Sequence, residues 1–244
     1  MTRALRPSTL AVVPVPVAPA LRLRKGEATR AAILEAALGI ARREGLEGLT
    51  IGVLAEQAGM SKSGAFAHFG SREELQLAVL KAYAERFVDE VLRPAVARPR
   101  GLARLTAMLD NWFAYLGGEL EQGCLMISGA SEYDDRPGPL RDEMVRIVRG
   151  WSAELLRAID AAKDTGELAA DTDSEQLAFE IHGLVLVTHQ QARLLRSGDS
   201  LARARSGLAR LLASAASAPP PARATTHKRP AESKRAPSPS HASK

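Results

Sequence analysis

The chain has 244 residues, of which 45% are hydrophobic, 25% charged and only 4% aromatic; this balance excludes wholesale disorder and favours helices over sheets. A single cysteine, Cys124, excludes an internal disulfide framework and a thiolate zinc cluster, and no apolar run reaches the roughly eighteen residues of a membrane span. The net charge of +5 sits at the ends: residues 1–25 (Arg3, Arg6, Arg22, Arg24, Lys25) and 218–244 each carry +5, whereas 26–217 carry 22 basic and 27 acidic groups, so global charge is no argument for a polyanionic partner.

In chain order, residues 1–25 begin like a secretory signal, but Pro14, Pro16 and Pro19 interrupt the apolar stretch. A disordered leader, or a start codon assigned too early, is expected there. Residues 27–43 place Ile33, Leu34, Ala37, Leu38 and Ala41 on one helical face, stopped by Gly45. Thr50 is a natural N-cap for a short helix over 51–58, and Gly59 breaks it. Ser61 caps a helix over 62–69. Ser71-Arg72-Glu73-Glu74 is a capping box opening a long helix to about Val91, with Pro94 and Pro99 expected to end it. A helix over 101–116 is expected to close at Gly117-Gly118. Helices over 122–132, 139–163, 173–197 (capped by Asp173) and 200–213 follow. Ile181 to Val187 is apolar nearly all round, so this helix is expected to be buried on more than one side. The reading is an all-α chain of about nine helices. Residues 214–244, rich in Pro, Ser, Lys and Arg, are expected to be a disordered basic tail with at most weak, salt-sensitive attraction to DNA phosphates.

Residues 51–69 have the mechanics of a helix-turn-helix. Two short helices crossing steeply need a small residue at the contact (Ala55) and a glycine in the turn (Gly59). The second helix opens with Ser61-Lys62-Ser63-Gly64, which offers free backbone N–H groups, a hydroxyl and an ammonium to phosphates and base edges. Gly64 stands where a capping box would put Glu or Gln, at a cost of up to roughly 1 kcal/mol of helix propensity; an acid there would repel phosphate. The sixteen residues between Glu56 and Glu73 contain Lys62, His68 and Arg72 but no acid, as an approaching polyanion requires.

Thr50, Leu54-Ala55-Glu56-Gln57-Ala58-Gly59-Met60-Ser61-Lys62-Ser63-Gly64-Ala65-Phe66-Ala67-His68-Phe69 and Ser71-Arg72-Glu73-Glu74-Leu75 resemble the DNA-binding domain of the tetracycline-repressor (TetR) family. The likeness covers about 27–87, and its specificity lies in the joint spacing; the C-terminal half is similar only in helix number and order. The resemblance implies a three-helix helix-turn-helix domain over 26–87 and a helical ligand-binding and dimerisation domain over 88–213. It implies that Thr50, Lys62 and Arg72 bind phosphates, that Ser61 opens the reading helix, that Ser63, Gly64 and Ala65 lie near base edges, and that His68 lies near backbone or base. Phe66 often corresponds to tyrosine in the family, and phenylalanine cannot donate the hydroxyl's bond to phosphate. With Ala65 and Ala67 also small, specificity is expected to lean on thymine methyls and DNA shape. Phe69 is expected in the core.

The resemblance further implies a ligand-released repressor that binds a palindromic operator as a homodimer through helices 173–197 and 200–213, in the cytoplasm at the nucleoid. In the family the C-terminal helices enclose an inducer cavity. Met108, Trp112 and Tyr115 share one helix face, and with Met126, Met144, Trp151 and His182 they are the expected lining, although helix core explains such a cluster more simply. His182 and His189 share a face but lack carboxylate partners at ligand spacing, so neither a metal nor another cofactor is expected. Neither a Walker loop, a dinucleotide fingerprint, HExxH nor a nucleophile elbow is present. Two rival readings stay open: an all-helical enzyme with a Cys124/His182 site, and a helical adaptor that binds protein.

Overall fold

The computed structural model describes residues 25–217; of the leader expected over 1–25 only Lys25 is described, as the first residue of a helix, and residues 1–24 and 218–244 lie outside the described residues. Described are α1 (Lys25–Gly48), α2 (Ile51–Gln57), α3 (Lys62–Phe69), α4 (Arg72–Phe87), a π-helical turn (Val88–Leu92), α5 (Arg93–Val96), α6 (Leu102–Gln122), α7 (Leu125–Tyr133), α8 (Pro139–Asp164), α9 (Ser174–Arg193) and α10 (Ser200–Ala215). Because α4, the π turn and α5 are continuous, these segments form nine rods, as the periodicity predicts.

Local chemistry sets most boundaries. The hydroxyls of Thr50, Ser61 and Ser71 accept from the N–H groups of Val53, Gly64 and Glu74 at 3.0–3.1 Å, and the Asp173 carboxylate accepts from Gln176 N–H at 3.0 Å. Each satisfies a donor the first helical turn leaves unpaired. Between α2 and α3 the chain turns through Gly59 at φ +62°, a conformation that a side chain disfavours. Helix α1 departs from helical geometry at Gly45, and Glu132 of α7 accepts from the next two backbone N–H groups, at Leu46 and Glu47.

Three helix ends differ from expectation: α9, expected to reach 197, ends at Arg193, with Arg196 at φ +56° beyond it, and two other helices run on past their expected stops. The rod beginning at Arg72 passes Pro94 and reaches Val96. A proline ring collides with the carbonyl four residues back. Here the π turn widens the preceding backbone: the Arg93 N–H reaches back five residues to the Val88 carbonyl, and Asn111 Nδ2 donates to the Val91 carbonyl at 3.0 Å. Helix α6 likewise runs through Gly117-Gly118 to Gln122. Gly117 is half-buried and Gly118 exposed, and glycines within a helix cost only about 1 kcal/mol each. Against that, the turn buries Leu116 and Glu119, and Arg193 of α9 donates to the Leu120 and Glu121 carbonyls at 3.2 and 3.1 Å. Part of the tail expected from 214 is in the fold, because α10 continues to Ala215 and backbone bonds tie Ala169 to Ala215 and Ser217 to Glu167.

The apolar side chains form two clusters. One joins α1–α3 and the first half of α4 (Leu75, Val79, Leu80, Tyr83) to Leu125, Tyr133, Leu140 and Met144. The other joins Val91 and Ala95 to α6, α8, α9 and α10. The rod from Arg72 to Val96 therefore belongs to both, and links the helix-turn-helix to the helical body.

Candidate functional site

At the helix-turn-helix, Ser61, Lys62, Ser63 and Phe66 are exposed, and Gly64 and His68 are half-buried. The Ser61 and Ser63 hydroxyls lie 3.1 Å apart at the start of α3. The Lys62 ammonium and the Thr50 hydroxyl converge over Gly52: each lies 3.8 Å from the point where a Cβ at that glycine would stand. A donor pair therefore faces outward from the junction of α2 and α3, with free helix N–H groups beside it. Gly52 was not singled out by sequence; its role comes from a contact between two helices that no local pattern encodes.

Two expected contacts require revision. Ala65 is fully buried, so its methyl group is not presented to base edges. It packs inward with Ala55, and both are small because two short helices cross closely there. Arg72 does not project freely. Its guanidinium donates to the Leu49 carbonyl at 3.2 Å and pairs with the Glu47 carboxylate at 2.8 Å. Glu47 also accepts from the Tyr133 hydroxyl and from Arg136. The Tyr133 hydrogen bond, then Arg72, hold the Glu47 carboxyl below its ordinary pKa. Arg72 thus braces the reading helices, and only what remains of its donor fork is available to phosphate. Phe69 is buried beneath the Arg30 guanidinium, as expected of a core residue.

A cavity of about 540 Å³ lies in the helical body, between α4, α6, α7, α8 and α9. Trp112, Tyr115, Met126, Trp151 and His182 line it. Met108 and Met144 do not: Met108 turns into the core around α6, and Met144 packs against Gly129 of α7. Sequence reasoning missed Tyr83 and Phe87, which enter from α4; their spacing of four on one face was the available signal. The rings meet edge to face, with Phe87–Trp151 and Trp112–Trp151 centroids 4.8 Å apart and Trp112–His182 5.2 Å apart.

The cavity wall has a polar side. Glu119 is buried and forms an ion pair with Arg42 of α1, while its second oxygen accepts from the Tyr83 hydroxyl at 3.2 Å. Arg42 also donates to the Tyr115 hydroxyl at 3.3 Å. Burial raises the Glu119 pKa, partly opposed by Arg42. Burial likewise pushes the Cys124 thiol up, outweighing its hydrogen-bond partners, and its sulfur lies 3.6 Å from the Tyr83 hydroxyl with the Glu119 carboxyl beside it. This is the setting of a packed thiol and not of an activated nucleophile. On the outside of the body, Phe179 (73% exposed) and Val187 leave an apolar face on α9, with Leu186 (55%) at the rim of the cavity, although Ile181 and Val185 are buried. None of the described helices is long and apolar enough to cross a membrane.

Residues 33–79 match the family model for bacterial regulatory proteins of the tetR family, and residues 101–208 match the model for the tetracyclin repressor-like C-terminal domain. The chain is 33% identical over 162 residues to the HTH-type transcriptional regulator TcmR of Streptomyces glaucescens, covering 64% of this chain and 69% of that protein. It is 27% identical over 148 residues to the transcriptional regulator AcuR of Cereibacter sphaeroides, covering 56% and 67% respectively. A crystal structure of a TetR transcriptional regulator from Chloroflexus aurantiacus superposes with a TM-score of 0.71 and 26% identity, over 80% of this chain and 98% of the other.

Proposed function

This chain belongs to the tetracycline-repressor family of DNA-binding transcriptional regulators, and from that premise we propose that it is a ligand-released repressor acting as a homodimer on a pseudo-palindromic operator. The reading head is 26–87 and the ligand-binding and dimerisation body 88–213. It works in the cytoplasm at the nucleoid, by binding and not by catalysis. Thr50 and Lys62 take phosphate, with Arg72 bracing. Ser61, Ser63, Gly64, Phe66 and His68 form the surface that enters the major groove. The exposed apolar face of α9, with α10 beside it, pairs with a second copy in a four-helix arrangement.

The observation that carries this reading is the convergence of the Lys62 ammonium and the Thr50 hydroxyl beside the open first turn of α3. No ion pair within the described residues occupies Lys62, so neutralising it is left to an external anion. Lys62→Ala is expected to weaken binding to every duplex sequence alike and to reduce the slope of log K against log salt by about one per reading head. Fluorescence anisotropy over a salt series reads this directly; an unchanged slope removes Lys62 from the phosphate contacts.

Release by ligand has a physical route. Tyr83 and Phe87 line the cavity from the same rod that packs under the reading head. Arg42 ties α1 to Glu119, and Glu119 accepts from Tyr83. A ligand that displaces the 83–92 stretch of the rod moves α1 and α4 together. It shifts the equilibrium only by the difference in its affinity for the DNA-bound and released conformers.

A further inference from the structure

We infer that a second copy of this chain completes the central cavity: with the two α9 helices crossed antiparallel at Gly183, Phe179 of each copy closes the opening beside Leu186 of the other. This rests on the homodimer reading above and deepens it, because the ligand then touches both copies.

Along α9, Phe179, Gly183, Leu186, Val187 and Gln190 are exposed. Their spacing of three and four puts them on one face. Phe179 and Leu186, seven residues apart, point within about 20° of each other around the helix. This stripe runs into the cavity. Leu186 lines it, as do the exposed Gly150 of α8 and Ser131 of α7. The cavity therefore opens to the outside where the apolar face of α9 begins. A single copy leaves both that mouth and a phenylalanine ring in water.

A two-fold pairing is isologous: if residue i meets residue j, then j meets i. Where two identical helices cross antiparallel, positions equally far on either side of the crossing point face each other. Gly183 is the middle of the stripe, and nothing lies within 4 Å of the point where its Cβ would stand. Two backbones can approach closely there. Phe179 lies four residues before Gly183 and Val187 four after, each about 6 Å along the axis. Phe179 of one copy then comes over Val187 and its neighbour Leu186 in the other, at the mouth. The flanks fit the same pairing. On α10 the exposed Ala202, Ser206, Ala209 and Ala213 form a shallow stripe bordered by Arg205 and Arg210, whereas Glu175 and Glu180 border the stripe of α9. Large side chains of one copy fit the shallow stripe of the other, with acids facing bases.

The test uses N-phenyl-1-naphthylamine, an uncharged dye that brightens in apolar surroundings. The chain has two tryptophans, Trp112 and Trp151, and both line the cavity, so quenching of their emission reports its occupancy. Phe179 does not line the cavity of its own copy, so an effect there acts through the second copy. In sedimentation velocity the parent is expected to be a dimer and Phe179→Arg a monomer. Phe179→Arg is expected to keep its helical circular dichroism and to bind the dye at least about tenfold more weakly. Phe179→Leu is expected to stay dimeric and lose about threefold, as an aromatic contact is removed. The dye should tighten the dimer by the factor that dimerisation tightens the dye. Val96→Arg, at an exposed apolar position on α5, should change neither property. A Phe179→Arg monomer with parental dye affinity, a Phe179→Arg chain that remains dimeric, unchanged dye affinity in Phe179→Leu, or a parent dimer that takes up no dye overturns the shared cavity and leaves the homodimer reading standing. A monomeric parent overturns both.

Discussion

Replacing Glu119 with leucine is expected to lower folding stability by about 3–5 kcal/mol, the penalty for leaving one partner of a buried ion pair alone. The Arg42 and Glu119 side chains are only 11% and 4% exposed. A guanidinium cannot shed its proton, so Arg42 without Glu119 is a buried charge with no escape. The reciprocal variant Arg42→Met is expected to cost less, because a carboxyl can neutralise itself, and burial already pushes that of Glu119 upward. The sign of the pH dependence follows. A carboxyl with a raised folded-state pKa contributes stability that is complete below its unfolded value of 4.5 and is lost as pH rises through the folded value. Arg42→Met should therefore recover stability as the solution is acidified from neutrality, and Glu119→Leu should lack that recovery. The double variant should lie closer to the parent than Glu119→Leu does. Urea unfolding at constant m measures all three. Equal losses in the two single variants would show that the pair is not buried as described.

Gly123→Ala is the second large effect, at about 2–4 kcal/mol from left-handed backbone and overpacking together. Gly123 ends α6 at φ +103°, and a Cβ there would stand 2.1 Å from the backbone carbonyl oxygen of Arg42. That oxygen cannot rotate away as a side chain could, so α1 and the end of α6 would have to separate. The control lies five residues earlier. Gly118 is helical, with nothing within 4 Å of its would-be Cβ, so Gly118→Ala is expected to stabilise by about 0.5–1 kcal/mol. Midpoints from thermal unfolding of the two variants should move in opposite directions. A Gly123→Ala midpoint at or above that of the parent contradicts the close approach.

Both variants disturb the seam where the reading head meets the body, and the seam is where sequence reasoning carried least. The caps at Thr50, Ser61, Ser71 and Asp173 were legible because one side chain and one backbone N–H three residues on decide each of them. The exposed start of α3 was legible for the same reason, since Lys62 needs only to be near a free helix terminus. Pro94 and Gly117-Gly118 misled because their local preferences were overridden by a π turn with Asn111 beside it and by a cap supplied from Arg193, far away in the chain. Ala65 misled because the outward and inward faces of an eight-residue helix are set by its neighbour α2. The aromatic lining was half legible: spacing placed Trp112 and Tyr115 together but could not tell that Met108, one turn earlier, faces the core. The Arg42–Glu119 pair joins residues 77 apart in the chain, with no local pattern to announce it.

The claim on which function depends is that α3 reads duplex DNA in two symmetric copies. Selection of bound duplexes from a random-sequence pool, with the purified chain at low salt, tests it most directly. The expected result is an enriched pseudo-palindrome whose half-site centres lie about 10 base pairs, or 34 Å, apart or a multiple of that, with retention lost as salt is raised. A pool that stays unenriched at low salt, or enriched sites without two-fold symmetry, would contradict it.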